Sequence, residues 1–328
     1  MILIQSSNED IATSAVIDWL NYYGCKYFRI NENSLLYEIN CVKNNISFCF
    51  TDVLGNKQKI DLSQVSAYWY RRGYSNIETP KHTQGNNVFL DAINEHFSHE
   101  SATLENLTYY LFNHIHGQKI GHIRFNHINK IVVLSMARKA GLDVPDTAII
   151  SSKNALTAFY NQHSPSGIIT KSLNQSFGLQ DDVNSIYIAG YTSLFGNAEI
   201  DQCPETFFPT LFQEAIPKKF ELRIFYLNGK FFSSAIFSQN DEKTKVDFRN
   251  YNFEKPNRTP PFKLPESIEK KITDLMQKME LNSGSIDMIY SETGKYIFLE
   301  VNPVGQFWQV SYPCNYYLER EIAKTLCG

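Results

Sequence analysis

The chain has 328 residues, with 31 Lys+Arg against 34 Asp+Glu and a formal charge of −3. Hydrophobic residues make up 43% and charged ones 20%, the mix of a folded globular chain with length for two or three domains. No Lys/Arg block supplies the basic surface that nucleic acid requires, and no apolar run approaches the roughly 18 residues of a membrane span, so neither is an expected partner. The opening MILIQSSNEDIATS has no basic segment and turns polar after four residues, so no signal peptide is expected. Cys25, Cys41, Cys49, Cys203, Cys314 and Cys327 show no metal-ribbon spacing and read as buried or free thiols of a cytoplasmic protein.

ILIQ predicts a strand, and Ser6 or Ser7 is the expected cap of a helix that ends at Gly24. KYFRI is a second strand, NISFCFTDVLGNKQKIDL a hairpin turning at Gly55–Asn56, and VSAYWY a buried strand. Strand–helix–strand order without a dinucleotide fingerprint predicts an open α/β sheet. VSAYWY delivers Arg71 and Arg72, which read either as a solvated strand end or as a binding position at the carboxyl edge of the sheet. In the polar, helical stretch 75–127, His96, His99, His114, His116, His122 and His127 come without a carboxylate pattern, and they read as surface or core residues.

NKIVVLSMARKAGLDVPDTAII is a helix and a strand, KNALTAFYNQ a helix, and GIIT a strand that presents Lys171. TFFPTLFQEAI is a strand ending in Gln213, Glu214, Ala215 and Ile216. ELRIFYL and KFFSSAIFS flank Asn228–Gly229, a strong hairpin signal that sets Arg223 opposite Ser234. GSIDMIY and KYIFLEVN form another hairpin. A two-residue Thr293–Gly294 turn would pair Glu292 with Lys295 and set Asp287 across from Glu300, with Asn302 on the same face. Two facing carboxylates repel unless a cation lies between them. A divalent metal held by Asp287, Glu300 and Asn302 resolves the conflict; a one-residue register slip, or Arg223 or Arg249 as counter-charge, are the alternatives.

Lys130, Lys171, Gln213–Ile216, Asp287 and Glu300–Val301–Asn302 occur in the order seen in the ATP-grasp superfamily, which the chain resembles. The resemblance implies an ATP-grasp fold of α/β (α+β) class. An N-terminal domain over 1–124 would precede a central subdomain over 125–212 and a C-terminal subdomain over 213–328. It further implies that Lys130 and Lys171 hold ATP phosphates, that Gln213, Glu214 and Ile216 contact adenine, and that Asp287, Glu300 and Asn302 bind Mg²⁺, with Asn302 also facing the nucleotide. The glycine-poor loop 172–180 departs from the pattern. Trp69–Arg72, Glu221–Arg223, Ala235–Gln239 and Asp247–Arg249 are similar to the graspetide (microviridin-type) maturases, most of all those of grasp-with-spasm systems.

That resemblance implies a cytoplasmic, homodimeric, ADP-forming ligase acting on a ribosomally made precursor with leader and core. Asp or Glu side chains of the peptide would be activated as acyl phosphates and closed onto Ser/Thr or Lys side chains. Arg223 and Arg249 would orient the acceptor carboxylate, and Arg71 and Arg72 would be further substrate contacts. A ligase resembling the ribosomal-protein glutamate ligases, with another acceptor, and a nucleotide-binding regulator without turnover remain open at this point.

Overall fold

The computed structural model describes the chain apart from residues 43–44, 53, 82, 84–86, 123–127, 174–177, 182–185, 190–191, 240, 242–243, 245–251 and 253; for 178–181 and 186–189 it describes the backbone alone. The chain divides into two units, Met1–Asn126 with Tyr317–Gly328, and His127–Tyr316.

The first unit opens with β1 (Ile2–Gln5), α1 (Ile11–Tyr22) and β2 (Tyr27–Ile30). The antiparallel sheet β3 (Leu35–Val42), β4 (Asn45–Thr51) and β5 (Lys57–Asp61) follows, then β6 (Ala67–Tyr70), the 27-residue α2 (Asn87–Asn113) and β7 (Gln118–Ile120). Strands in the order β2-β1-β6-β7 make a parallel sheet. β1 and β6 are buried at every residue, which explains their unbroken apolar runs. Phe48, Phe50, Tyr68 and Phe112 form the centre of this core.

The α1 cap corrects the sequence reading: Asp10, not Ser6 or Ser7, accepts the Thr13 N–H, at 3.0 Å. Arg71 and Arg72 are not a solvated strand end either. Arg71 is buried, and the Nε atoms of both lie 3.1 and 2.8 Å from Asp10 Oδ2. Strand β6 thus places two guanidiniums on the carboxylate that caps α1, and burial draws the Arg71 guanidinium down to about 10. The cysteine expectation fails at one pair. Cys25, just past α1, is disulfide-bonded to Cys327 near the chain end, across a sequence separation of 302. The C-terminal helix packs on α1, which brings these two distant positions together. Cys41, Cys49, Cys203 and Cys314 are free thiols.

The second unit begins with α3 (Lys130–Lys139), β8 (Thr147–Ser152), α4 (Lys153–Gln162) and β9 (Ile168–Lys171). The ribbon β10 (Gly178–Asp181) and β11 (Ile186–Ala189), then β12 (Ser193–Phe195), α5 (Asn197–Gln202) and β13 (Thr206–Glu214) follow. An antiparallel sheet of order β12-β9-β13-β8 results, with Leu156, Ile168, Ile200 and Phe212 in the core beneath it.

A second sheet, of order β16-β15-β14-β17-β18, is built from β14 (Lys218–Leu227), β15 (Lys230–Ile236), β16 (Pro261–Phe262), β17 (Ser283–Ser291) and β18 (Tyr296–Asn302). Helix α6 (Glu266–Lys278) buries Ile272, Leu275 and Met276, and α7 (Trp308–Cys314) packs against β14 and β15. The chain closes with α8 (Leu318–Cys327) in the first unit. Asn228 and Gly229 turn β14 into β15 with φ of 47° and 84°, the doubly left-handed turn that Asn-Gly favours.

Candidate active site

The β14–β15 register sets Arg223 opposite Ser234, and the β14–β17 register sets it opposite Asp287. Asp287 in turn faces Glu300 on β18, so four side chains cross the sheet in one row on one face. The expected pair is present, but the turn that leads to it differs. Ser291 and Lys295 close a three-residue Glu292–Thr293–Gly294 loop in which Gly294 takes φ of 81°. Pairing next to the turn is therefore Tyr290 with Tyr296, and an extra residue on β18 between Phe298 and Glu300 restores the Asp287–Glu300 register. Two offsets of opposite sign cancel. Beyond them Asn302 faces Ser285, so the set extends one position along the same face.

Arg223 and Asp287 are only 6% and 9% exposed, and Arg223 Nη1 donates to both Asp287 oxygens at 2.7 and 2.6 Å. Arg223 is thus present as the counter-charge that is the alternative to a metal. Glu300 is half-buried, and its Oε2 lies 3.9 Å from Lys130 Nζ. Lys130 is the first residue of α3, whose cap Asn129 accepts the Ile131 and Val132 N–H groups. Its ammonium also donates to the Ser172 carbonyl at 3.2 Å, tying α3 to the chain just past β9. Lys130 and Glu300 thus meet, as do Arg223 and Asp287. The charges run as guanidinium, two carboxylates and ammonium, so each carboxylate has a cation beside it.

Lys171 ends β9 opposite Leu211 and is half-buried. Gln213 is buried and donates through Nε2 to Thr147 Oγ1 at 2.8 Å. Its Oε1 is a buried acceptor without a partner among the described residues. Glu214 Oε1 accepts the Asp146 N–H at 3.0 Å, and Ile216 lies half-buried just past the strand end. Asn302 is exposed, and its Oδ1 accepts the Val304 N–H. Arg249, with Asp247 and Phe248, lies outside the described residues, as does the centre of loop 172–180.

Two features escaped the sequence reading. Ser285, across from Asn302, has a buried hydroxyl without a partner among the described residues; the strand register was the signal that would have found it. Lys218, Glu221 and Ser238 form a buried network in which the Lys218 ammonium contacts Glu221 Oε1 and Ser238 Oγ donates to the same oxygen at 3.2 Å. Burial outweighs those contacts and lifts the Glu221 carboxyl to about 7.

Adjacent carboxylates with Asn and Ser oxygens on this face are a donor set that could hold a hard divalent cation. Unpartnered buried atoms, Arg223 Nε and Ser285 Oγ, lie in the same two cross-strand rows.

No family model and no curated protein matches the chain. Solved structures do. The macrocyclase MdnC bound with precursor peptide MdnA, from Microcystis aeruginosa MRC, is 29% identical with a TM-score of 0.73, over 99% of each chain. A RiPP-associated ATP-grasp ligase of Chryseobacterium gregarium, in complex with ADP and a leader and core peptide, is 23% identical, with a TM-score of 0.77 over 99% of this chain and 94% of that one. The ATP-grasp ligase PsnB complexed with minimal precursor, Mg and ADP is 14% identical, with a TM-score of 0.71 over 99% and 96%. The fold is that of an ATP-grasp ligase. Within that class the chain is similar over its full length to peptide macrocyclases and RiPP-associated ligases, consistent with a graspetide maturase.

Proposed function

We propose that the protein uses ATP and Mg²⁺ to join Asp or Glu side chains of a ribosomally made precursor peptide to hydroxyl or amine side chains of the same peptide. Each ring consumes one ATP, releases ADP and phosphate, and leaves an ester or amide in place of one water. The observation that carries this reading is the Arg223–Asp287–Glu300–Lys130 row, together with 29% identity over the full length to a macrocyclase bound with its precursor.

Asp287, Glu300 and Asn302 would hold Mg²⁺, which supplies positive charge to the transferring phosphoryl group. Lys130 and Lys171 would bind phosphates as point charges, with Gln213, Glu214 and Ile216 at the base. Arg223 orients Asp287 through both carboxylate oxygens while its Nε remains available, among the described residues, for an acceptor carboxylate. Arg249 would be the second acceptor guanidinium, and Arg71 and Arg72 further substrate contacts. A carboxylate approaching a triphosphate meets like charge, so catalysis rests on positioning and electrostatic compensation more than on proton transfer.

Among the described residues no helix is long and apolar enough to cross a membrane, and we place the protein in the cytoplasm, where ATP is supplied. A homodimer would cover the exposed Val88, Phe89 and Ile93 of α2. ADP release is the direct test of turnover: it should rise on adding a candidate precursor and stay at background without one. Release unaffected by any peptide would favour a different acceptor.

A further inference from the structure

We propose that Asp146, His163 and Glu214 form a binding site for one divalent cation of the borderline class, typified by Zn²⁺, on the four-stranded β12-β9-β13-β8 sheet. Asp146 directly precedes β8, His163 directly follows α4, and Glu214 ends β13. Backbone hydrogen bonds hold all three at one end of the sheet. The Glu214 N–H donates to the Asp146 carbonyl, the Gly167 N–H to the His163 carbonyl, and the Ala215 N–H to the Gly167 carbonyl, each at 3.0 Å.

The side chains converge from those anchors. The Asp146 N–H holds one Glu214 oxygen at 3.0 Å, which turns the other, Oε2, towards His163 Nδ1 at 3.8 Å. That separation is too long for a hydrogen bond, so imidazole and carboxylate face each other without one. Phe159, one turn earlier on α4, lies with its ring 4.6 Å from the imidazole and fixes its plane. One donor atom from each of the three residues lies within 4.8 Å of the others. Ligands bound to tetrahedral zinc at 2.0–2.2 Å sit roughly 3.4 Å apart. Closing the set from separations of up to 4.8 Å therefore needs approaches of at most about 1.4 Å, within reach of the exposed Asp146 side chain.

Three features of the surroundings favour a cation here. Two carboxylates share one small volume. His163 sits at the C-terminal end of α4, where the unpaired carbonyls carry partial negative charge. One nitrogen and two oxygens form a set that Zn²⁺ accepts and that Mg²⁺ and Ca²⁺, which prefer oxygen alone, do not. The competing arrangement, an ion pair between His163 and Glu214, needs a protonated imidazole. Once bound, the cation would link the lead into β8, the end of α4 and the end of β13, and so stiffen segment 213–216.

The test is a Zn²⁺ titration of chelator-stripped protein at pH 8 against a chromophoric chelator, with the Co²⁺ absorption spectrum as a second readout; neither depends on ligase activity. Wild type should take up one equivalent and give a tetrahedral Co²⁺ spectrum. His163→Ala and Asp146→Asn should each weaken binding at least tenfold with unchanged far-UV circular dichroism, while Cys41→Ser, at the exposed thiol, should not. If His163→Ala loses its fold, Asp146→Asn at its exposed position gives the decision. Absence of stoichiometric Zn²⁺ uptake, or full affinity in Asp146→Asn and in a folded His163→Ala, overturns the proposal.

Discussion

Arg223→Ala removes the charge that Asp287 faces in the interior of the sheet. At 2.6–2.7 Å and an effective dielectric of about 20, the pair's Coulomb attraction is roughly 6 kcal/mol before desolvation is deducted. Breaking such a pair by deleting one partner strands the other and costs about 3–5 kcal/mol. Both residues are buried, with side chains 7% and 13% exposed, so solvent screening offers little relief. Urea unfolding of wild type, Arg223→Ala, Asp287→Ala and the double variant should show each single change costing about 3–5 kcal/mol. The double variant should cost markedly less than their sum, because it leaves no orphaned charge. Mg²⁺ with ADP should then recover part of the Arg223→Ala deficit, since a cation at Asp287 substitutes for the lost guanidinium. Additive losses, or a deficit that Mg²⁺ and nucleotide leave unchanged, would refute the view that Asp287 serves both arginine and metal.

Glu300→Gln should abolish ADP release while preserving the melting temperature within a few degrees; near-normal turnover at limiting Mg²⁺ would remove Glu300 from the metal set. Lys130→Ala and Lys171→Ala should each weaken nucleotide binding by calorimetry, roughly tenfold at low salt and less at high salt, because the contact is between charges; unchanged affinity in both returns them to structural roles. Glu221 has its folded-state value raised from 4.5 to about 7, so folding takes up a proton between those values, and its contribution to stability declines as pH rises through that window. Glu221→Gln should flatten the pH dependence of unfolding free energy between pH 4.5 and 7 by up to about 1.4 kcal/mol per unit, and an unaltered slope would mean that Lys218 keeps the carboxylate charged. The Cys25–Cys327 bond predicts four titratable thiols in unreduced denatured protein and six after reduction; six in both would show the pair to be unbonded.

Local signals carried much of this architecture. Asn228–Gly229 announced its hairpin and hence the Arg223–Ser234 pair, because a two-residue turn of that type fixes register. At β17–β18 the expected turn was one residue too short, and Asp287 still met Glu300 only because β18 bulges. Period-2 arithmetic cannot see such a bulge. The Asp10 cap was masked by the two serines before it, whose type suits capping equally well. What sequence reasoning missed joins residues far apart in the chain. Cys25 meets Cys327 because α8 returns to the first unit, and Glu214 meets His163 because α4 ends beside β13. β3 went unseen because LLYEINCV alternates poorly: one face of the strand is only partly covered.

Mass spectrometry of a candidate precursor incubated with the protein, ATP and Mg²⁺ tests the central claim most directly. The account predicts a product lighter than the precursor by one water per ring, with an equal amount of ADP formed and fragmentation suppressed within each ring. It also predicts that Glu300→Gln gives neither product nor ADP. A precursor left at its full mass while ADP accumulates, or mass loss that persists in Glu300→Gln, would contradict it.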